Sequence, residues 1–183
     1  MVKRIIFPVA FSLVMLVSCG QSSGSNAEDE LQGSNGGGDS IGQKKDGQQV
    51  DITSLLEELE LTVNTEKTAD SVTFQLTLTN SGNQDVELTF SSGQQYEIVV
   101  ENEQGAEVYK YSHGKAFTEA LINKQIGAGE SETWEETWNL KDNEGNKVEA
   151  GNYTVLVTLL PAQLNQQVIE GTPFVQNVNI TLP

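Results

Sequence analysis

The chain has 183 residues, with 26 acidic side chains against 10 basic ones and a formal net charge of −16. A surface this acidic repels phosphate backbones, whose binding needs Lys and Arg to displace counterions, so nucleic acid is excluded as a partner. Cys19 is the single cysteine. No intramolecular disulfide is possible, and the fold must rest on its apolar core and backbone hydrogen bonds.

In chain order, Lys3-Arg4 is a short basic stretch, and Ile5 to Val17 is apolar apart from Ser12. That run is too short to span a bilayer and reads as a signal peptide over residues 1–18. Leu16-Val17-Ser18-Cys19 matches a bacterial lipobox. In such signals the Cys19 thiol takes a diacylglycerol and cleavage makes it the first residue of the mature chain. Two acyl chains pass the single-chain limit for stable anchoring, at about 0.8 kcal/mol per buried CH₂. Residues 19–50 follow as a Gly-, Ser- and Asn-rich stretch in which Leu31 and Ile41 are the large apolar residues before Val50. It cannot bury enough surface to repay its ordering entropy and is expected to be a flexible tether. A coil of that length reaches about 30 Å on average.

The folded domain is expected over residues 51–183. Residues 51–58 offer one or two helical turns, with Ser54 and Glu57 at capping-box spacing. Leu59, Leu61 and Val63 then alternate with polar residues. Val72, Phe74, Leu76 and Leu78 alternate with Thr73, Gln75, Thr77 and Thr79, the pattern of a half-buried strand. Val86, Leu88 and Phe90 predict the next strand. Tyr96 to Val100, the turn Glu103-Gln104-Gly105 and the run Val108 to Tyr111 predict a β-hairpin. Phe117 to Leu121 is expected to re-enter the apolar interior. Trp134, Trp138 and Leu140 place a strand from about Ser131 to Leu140. Tyr153 to Leu159 is another, ended by Pro161, and Val178, Ile180 and Leu182 form the last. About eight strands with frequent turn signals predict an all-β fold, an immunoglobulin-like antiparallel β-sandwich, with a small barrel as the alternative.

Chemistry is sparse. His113 is the only histidine, in a Ser-His-Gly loop, and no serine sits in a Gly-x-Ser-x-Gly elbow. Neither a zinc cluster nor a phosphate loop is present, and no cofactor or metal is expected. Asp142-Asn143-Glu144-Gly145 lacks EF-hand spacing and reads as a β-turn. Trp134 and Trp138 share one face of their strand with Glu136 between them, which fits core packing of the indoles. The chain is not expected to be an enzyme.

The run from Phe74 to Leu159 resembles the BsuPI family, named for an intracellular proteinase inhibitor of bacilli. The resemblance rests on Thr79-Asn80-Ser81-Gly82, on Leu88-Thr89-Phe90-Ser91-Ser92-Gly93-Gln94-Gln95-Tyr96, and on Gly105 with Val108 and Tyr109. It continues through Phe117-Thr118, Ala120-Leu121, Gly129-Glu130, Trp138, Gly145 and Ala150-Gly151-Asn152-Tyr153. Where family members carry Trp in the second hairpin strand, this chain has Tyr109 or Tyr111. The resemblance implies an immunoglobulin-like sandwich and inhibition of a subtilisin-type serine protease. It implies no catalytic residue.

A rigid sandwich can present a loop to a protease cleft. The candidate is Tyr111-Ser112-His113-Gly114-Lys115-Ala116-Phe117, a Gly-containing loop with flanking aromatics as anchors. The alternative is a non-enzymatic envelope adhesion or assembly module that binds another protein through a sheet edge or face. Either way the expectation is a monomer, held by diacylglycerol on Cys19 at the extracytoplasmic face of a Gram-positive cell membrane.

Overall fold

The computed structural model describes residues 51–183. The expected signal peptide, lipobox (Leu16, Val17, Ser18), lipidated Cys19 and tether lie outside the described residues. Helix α1 (Ile52–Glu57) is followed by β1 (Leu59–Lys67), β2 (Val72–Asn80), β3 (Val86–Phe90), β4 (Tyr96–Asn102), β5 (Glu107–Lys110) and β6 (Ile122–Ile126). The chain continues with β7 (Ser131–Trp138), β8 (Gly151–Leu159), β9 (Pro161–Leu164), β10 (Gln167–Val168) and β11 (Val175–Leu182). All pairings are antiparallel.

The three-stranded sheet has the order β1-β2-β7. Its central strand β2 alternates as the sequence predicts: Val72, Phe74, Leu76 and Leu78 are fully buried, while Gln75 is exposed. The turn from β1 to β2 is set by Thr68, whose hydroxyl accepts from the amides of Asp70 and Ser71 at 3.2 and 3.0 Å. A hydroxyl offering itself to amides two and three residues on is what makes Thr a turn former.

The orders β10-β9-β3-β6 and β11-β8-β4-β5 describe two stretches of one bent ladder. β3 leads into β4 and β8 into β9. Tyr96 opposes Leu159 and Phe90 opposes Pro161, and between them the Leu160 amide donates to the Gln95 carbonyl at 2.9 Å. Residues 91–95 bulge out where the ladder bends. Facing this bent sheet, the three-stranded sheet completes an immunoglobulin-like sandwich. Phe74, Leu76, Leu78, Leu88, Ile98, Val155, Val157 and Leu164 all join one core. Fully burying a side chain of this size contributes about 1.5–3 kcal/mol.

Several expectations need correction. Eleven strands are present among the described residues, against about eight expected. The helix is capped by Asp51, whose carboxylate accepts from the Thr53 amide at 3.1 Å, not by a Ser54–Glu57 box. An Asp one residue before the first turn is already a complete N-cap, so Ser54 falls inside the helix. β8 does end before Pro161, as expected, but Pro161 also starts β9, where the β3–β9 register shifts. β7 ends at Trp138, because Leu140 takes a left-handed φ of 57° to turn the chain while its side chain stays buried. Residues 118–121 do not re-enter the core: Leu121 is 73% exposed. That segment crosses the bulge instead, and the Thr118 carbonyl accepts from the Gly93 amide at 2.8 Å.

Asn80 is the buried polar pin of the fold. Its side-chain amide nitrogen donates to the carbonyls of Gln84, Ile126 and Gly127 at 2.8, 3.1 and 3.1 Å, and its oxygen accepts from the Gly82 amide at 3.0 Å. One side chain thereby fixes the β2–β3 turn against the β6–β7 turn. Asn80→Ala leaves these groups without partners at a fully buried position and is expected to cost about 3 kcal/mol. Thr79→Ala, on the outer face, is expected to stay within about 0.5 kcal/mol. Both tryptophans lie in β7, so denaturant titration followed by tryptophan fluorescence reads this domain. A loss below about 1 kcal/mol for Asn80→Ala would contradict the pin.

Candidate functional site

The candidate loop Tyr111–Phe117 leaves the hairpin at the end of β5. The Tyr111 amide donates to the Ile98 carbonyl at 2.8 Å, and the Ser112 amide to Glu97 Oε1 at 3.1 Å. The chain then folds into two overlapping turns. His113 donates its amide to the Lys110 carbonyl at 3.0 Å, and Lys115 to the Ser112 carbonyl at 3.1 Å. Gly114, between them, adopts a φ of 67°, which glycine takes without steric cost. His113, Gly114, Lys115 and Ala116 are exposed, whereas Tyr111, Ser112 and Phe117 are half-buried.

Aromatic rings hold the base of the loop. The Tyr111 ring centroid lies 4.6 Å from that of Tyr96 and 5.8 Å from that of Phe117. The two predicted anchors therefore face inward, toward the sandwich. The Lys115 ammonium sits 3.5 Å above the Tyr111 ring and 3.4 Å from Glu136 Oε1. A cation over a ring at such an exposed place contributes about 0.5–1 kcal/mol. The ion pair adds about 0–1 kcal/mol, because the Lys115 side chain is 42% exposed and water screens it.

Glu136 collects the site. It projects inward from β7 between Trp134 and Trp138, as the alternation predicts, and its carboxylate accepts from Tyr96 Oη at 3.1 Å and Tyr109 Oη at 3.5 Å. Tyr109 also stacks on Trp138, with centroids 5.6 Å apart. Both phenols are held well above their ordinary value of 10.0. For Tyr96 the causes are burial first, then the Tyr111 hydroxyl, then the Glu136 charge. For Tyr109 they are burial first, then the Glu136 charge.

The structure thus joins Tyr111, Lys115 and Phe117 into one cluster and leaves His113, Gly114 and Ala116 as its tip. Tyr96, Tyr109 and Glu136 belong to the cluster and were missed as site residues. The available signal was a carboxylate at an inward position of an alternating strand. The Asp142 turn is confirmed: its carboxylate accepts from the amides of Glu144 and Asn146 at 3.0 and 2.8 Å, and Gly145 has φ 87°. Among the described residues no group of three or more His, Cys, Asp or Glu is placed to hold a metal ion. Two shallow recesses of about 320 and 510 Å³ lie elsewhere, and no residue of the loop lines either. Residues 113–116 form an exposed turn rather than the wall of a recess.

A family model described as "BsuPI: Intracellular proteinase inhibitor" matches residues 59–164, from the first residue of β1 to the last of β9. The chain belongs to the BsuPI family. This is a family of inhibitors, not of catalysts, and the matched stretch contains the whole candidate loop and Glu136. No curated protein matches. Among solved structures, a β-glucosidase from Erythrobacter marinus is 11% identical with a TM-score of 0.37, over 68% of this chain and 15% of that one. Structural genomics target SoR45 is 10% identical with a TM-score of 0.41, over 70% of this chain and 90% of that one. A CARDB domain from Pyrococcus furiosus, solved in complex with di-metal ions, is 12% identical with a TM-score of 0.35, over 68% and 87%. The chain spans only 15% of the length of the first of these.

The tyrosine shifts have a pH consequence. A phenol whose folded value is raised keeps its proton in the folded state at pH values where the unfolded state has lost it. The two phenols' contribution to stability is therefore fully present below about pH 10 and is lost as pH rises above it. Thermal unfolding followed from pH 8 upward should show this decline, and Tyr96→Phe and Tyr109→Phe should each flatten it. An unchanged alkaline slope in both variants would contradict the assignment.

Proposed function

We propose that this protein is a membrane-tethered inhibitor of a subtilisin-type serine protease, acting outside the cytoplasm. The observation that carries the reading is the family match over residues 59–164, which includes the projecting loop. The geometry supports it in two ways. Residues 113–116 stand exposed on a base fixed by Tyr96, Tyr111 and Phe117, so little order is lost when the tip docks. The amides of His113 and Lys115 are already bonded within the loop. The tip therefore meets a protease as a compact turn, not as an extended substrate strand, and the domain should leave the encounter uncut.

The address rests on Leu16-Val17-Ser18-Cys19 and the polar stretch behind it. A lipid on Cys19 would confine inhibition to the membrane surface, within about 30 Å of the anchor. This suits the control of proteases emerging from the cell. Labelling growing cells with an alkyne fatty acid checks the anchor: the protein should take up label, and Cys19→Ser should abolish it. Label retained in Cys19→Ser would remove the anchor from the proposal.

Titration of the full chain against subtilisin, with intact mass spectrometry of the mixture, tests the activity. Stoichiometric loss of protease activity with an uncut inhibitor is expected. Replacing residues 113–116 by Gly-Ser-Gly-Ser should weaken inhibition at least about tenfold, equivalent to about 1.4 kcal/mol, with the thermal midpoint little changed. Undiminished protease activity at high molar excess, or simple digestion, would sink the inhibitor reading.

A further inference from the structure

We propose that Glu136 and Tyr111 form a receptor for a cationic side chain, which Lys115 fills in the free protein and which an arginine of a partner protein takes over on binding. This goes beyond protease inhibition and does not depend on it.

The receptor and its occupant come from parts of different stiffness. Glu136 projects from β7, and Tyr111 is bonded through its amide to Ile98 of β4 and packed on Tyr96. The Glu136 side chain is 19% exposed, that of Lys115 42%. Lys115 reaches the receptor from the exposed tip, and withdrawing it would return to water a group that water already touches. The receptor would not be relieved in the same way. Glu136 keeps its two phenol donors, but Tyr96 and Tyr109 are neutral and cannot balance its charge. A half-buried carboxylate beside aromatic faces, without a counter-charge, is a site that attracts a cation.

Arginine fits better than the lysine now present. A guanidinium can lie flat on the Tyr111 ring while its fork of N–H groups reaches the Glu136 carboxylate, whereas an ammonium offers a point charge. The surrounding field points the same way. Residues 51–183 carry 21 Asp and Glu against six Lys and no Arg, so a cationic partner is drawn in and the chain has no arginine of its own in this domain to compete. Lys115 then acts as a placeholder: it satisfies Glu136 until a better cation arrives, and its departure frees the tip.

The test uses the full chain with N-acetyl-arginine amide as probe and N-acetyl-citrulline amide, its uncharged counterpart, as control. Binding is read from chemical-shift changes at Tyr111 and Glu136. Lys115→Ala is expected to bind the arginine probe at least about tenfold more tightly than the unaltered protein, and the citrulline probe at least about tenfold more weakly than the arginine probe. Adding Glu136→Gln should abolish the gain, with circular dichroism confirming that the fold persists. Equal affinity in the unaltered protein and Lys115→Ala would overturn the proposal. So would equal binding of arginine and citrulline, or a gain that survives Glu136→Gln in a folded protein.

Discussion

The inward face of β7 is the seam on which both the fold and the site depend. Trp134 meets Phe90 edge-on at 6.2 Å and donates its indole N–H to Gln95 Oε1 at 2.8 Å, which locks the three-stranded sheet to the bulge of the bent sheet. Trp138 stacks on Tyr109 and meets Tyr153 edge-on at 6.1 Å. Its N–H is satisfied by the Lys141 carbonyl at 2.7 Å. Glu136, between them, takes the polar tips of Tyr96 and Tyr109. Aromatic bodies thus supply burial across the two sheets while their polar atoms find partners at the rim. With no cysteine in the domain, this interlocking joins the two sheets without a disulfide.

Strands with strict alternation were legible because sheet geometry forces a period of two. β2 and β7 show their inner faces directly in the letters VTFQLTLTN and SETWEETW. The strands that stayed hidden broke that rule for identifiable reasons. β6 carries Lys124 at a half-buried inward position, acceptable only because its ammonium reaches Glu132 on β7. β9 begins with a proline. β9 and β10 are joined by Asn165-Gln166, both with positive φ, so the connection is a tight hairpin turn without the glycine that usually announces one. Asn165 is stabilised there because its side-chain oxygen accepts from the Glu87 amide at 2.7 Å, while its own amide donates to the Glu87 carbonyl. That partner is 78 residues away in sequence and invisible to any local pattern.

The site was legible in outline for the same kind of reason. Gly114 marks a turn, and the structure puts one there, while the flanking aromatics, expected as anchors for a partner, pack inward at the base of the loop. What the letters could not give is direction. Phe117 looked like the start of a descent into the core, yet Thr118 to Leu121 run along the bulge at residues 91–95, and only the Phe117 ring turns inward. Nor could they show that Lys115, Tyr111 and Glu136 meet, since 21 residues separate the cation from its carboxylate.

The edges of the sheets weigh the choice between a loop-binding and an edge-binding protein. An open strand edge is a template for a partner strand. Here β5 is covered by the turn after β7: the Asn143 amide donates to the Val108 carbonyl at 2.9 Å, and Asn143 Oδ1 accepts from the Lys110 amide at 2.9 Å. On the far side, the carbonyl of Leu61 in β1 is taken by the Gln176 side chain at 2.9 Å, and that of Thr181 in β11 by Lys67 at 3.3 Å. β6 is five residues long with a lysine at its centre, and β10 has two residues. Strand addition at β5, β1 or β11 would first have to displace these bonds, at little cost where the donor, as with Lys67 and Gln176, is exposed and can turn to water. Docking at the tip of residues 113–116 breaks no backbone bond beyond the loop's own two turns. The loop is thus the surface that a partner could meet with the fewest existing bonds to break, which is what the proposed docking asks of it.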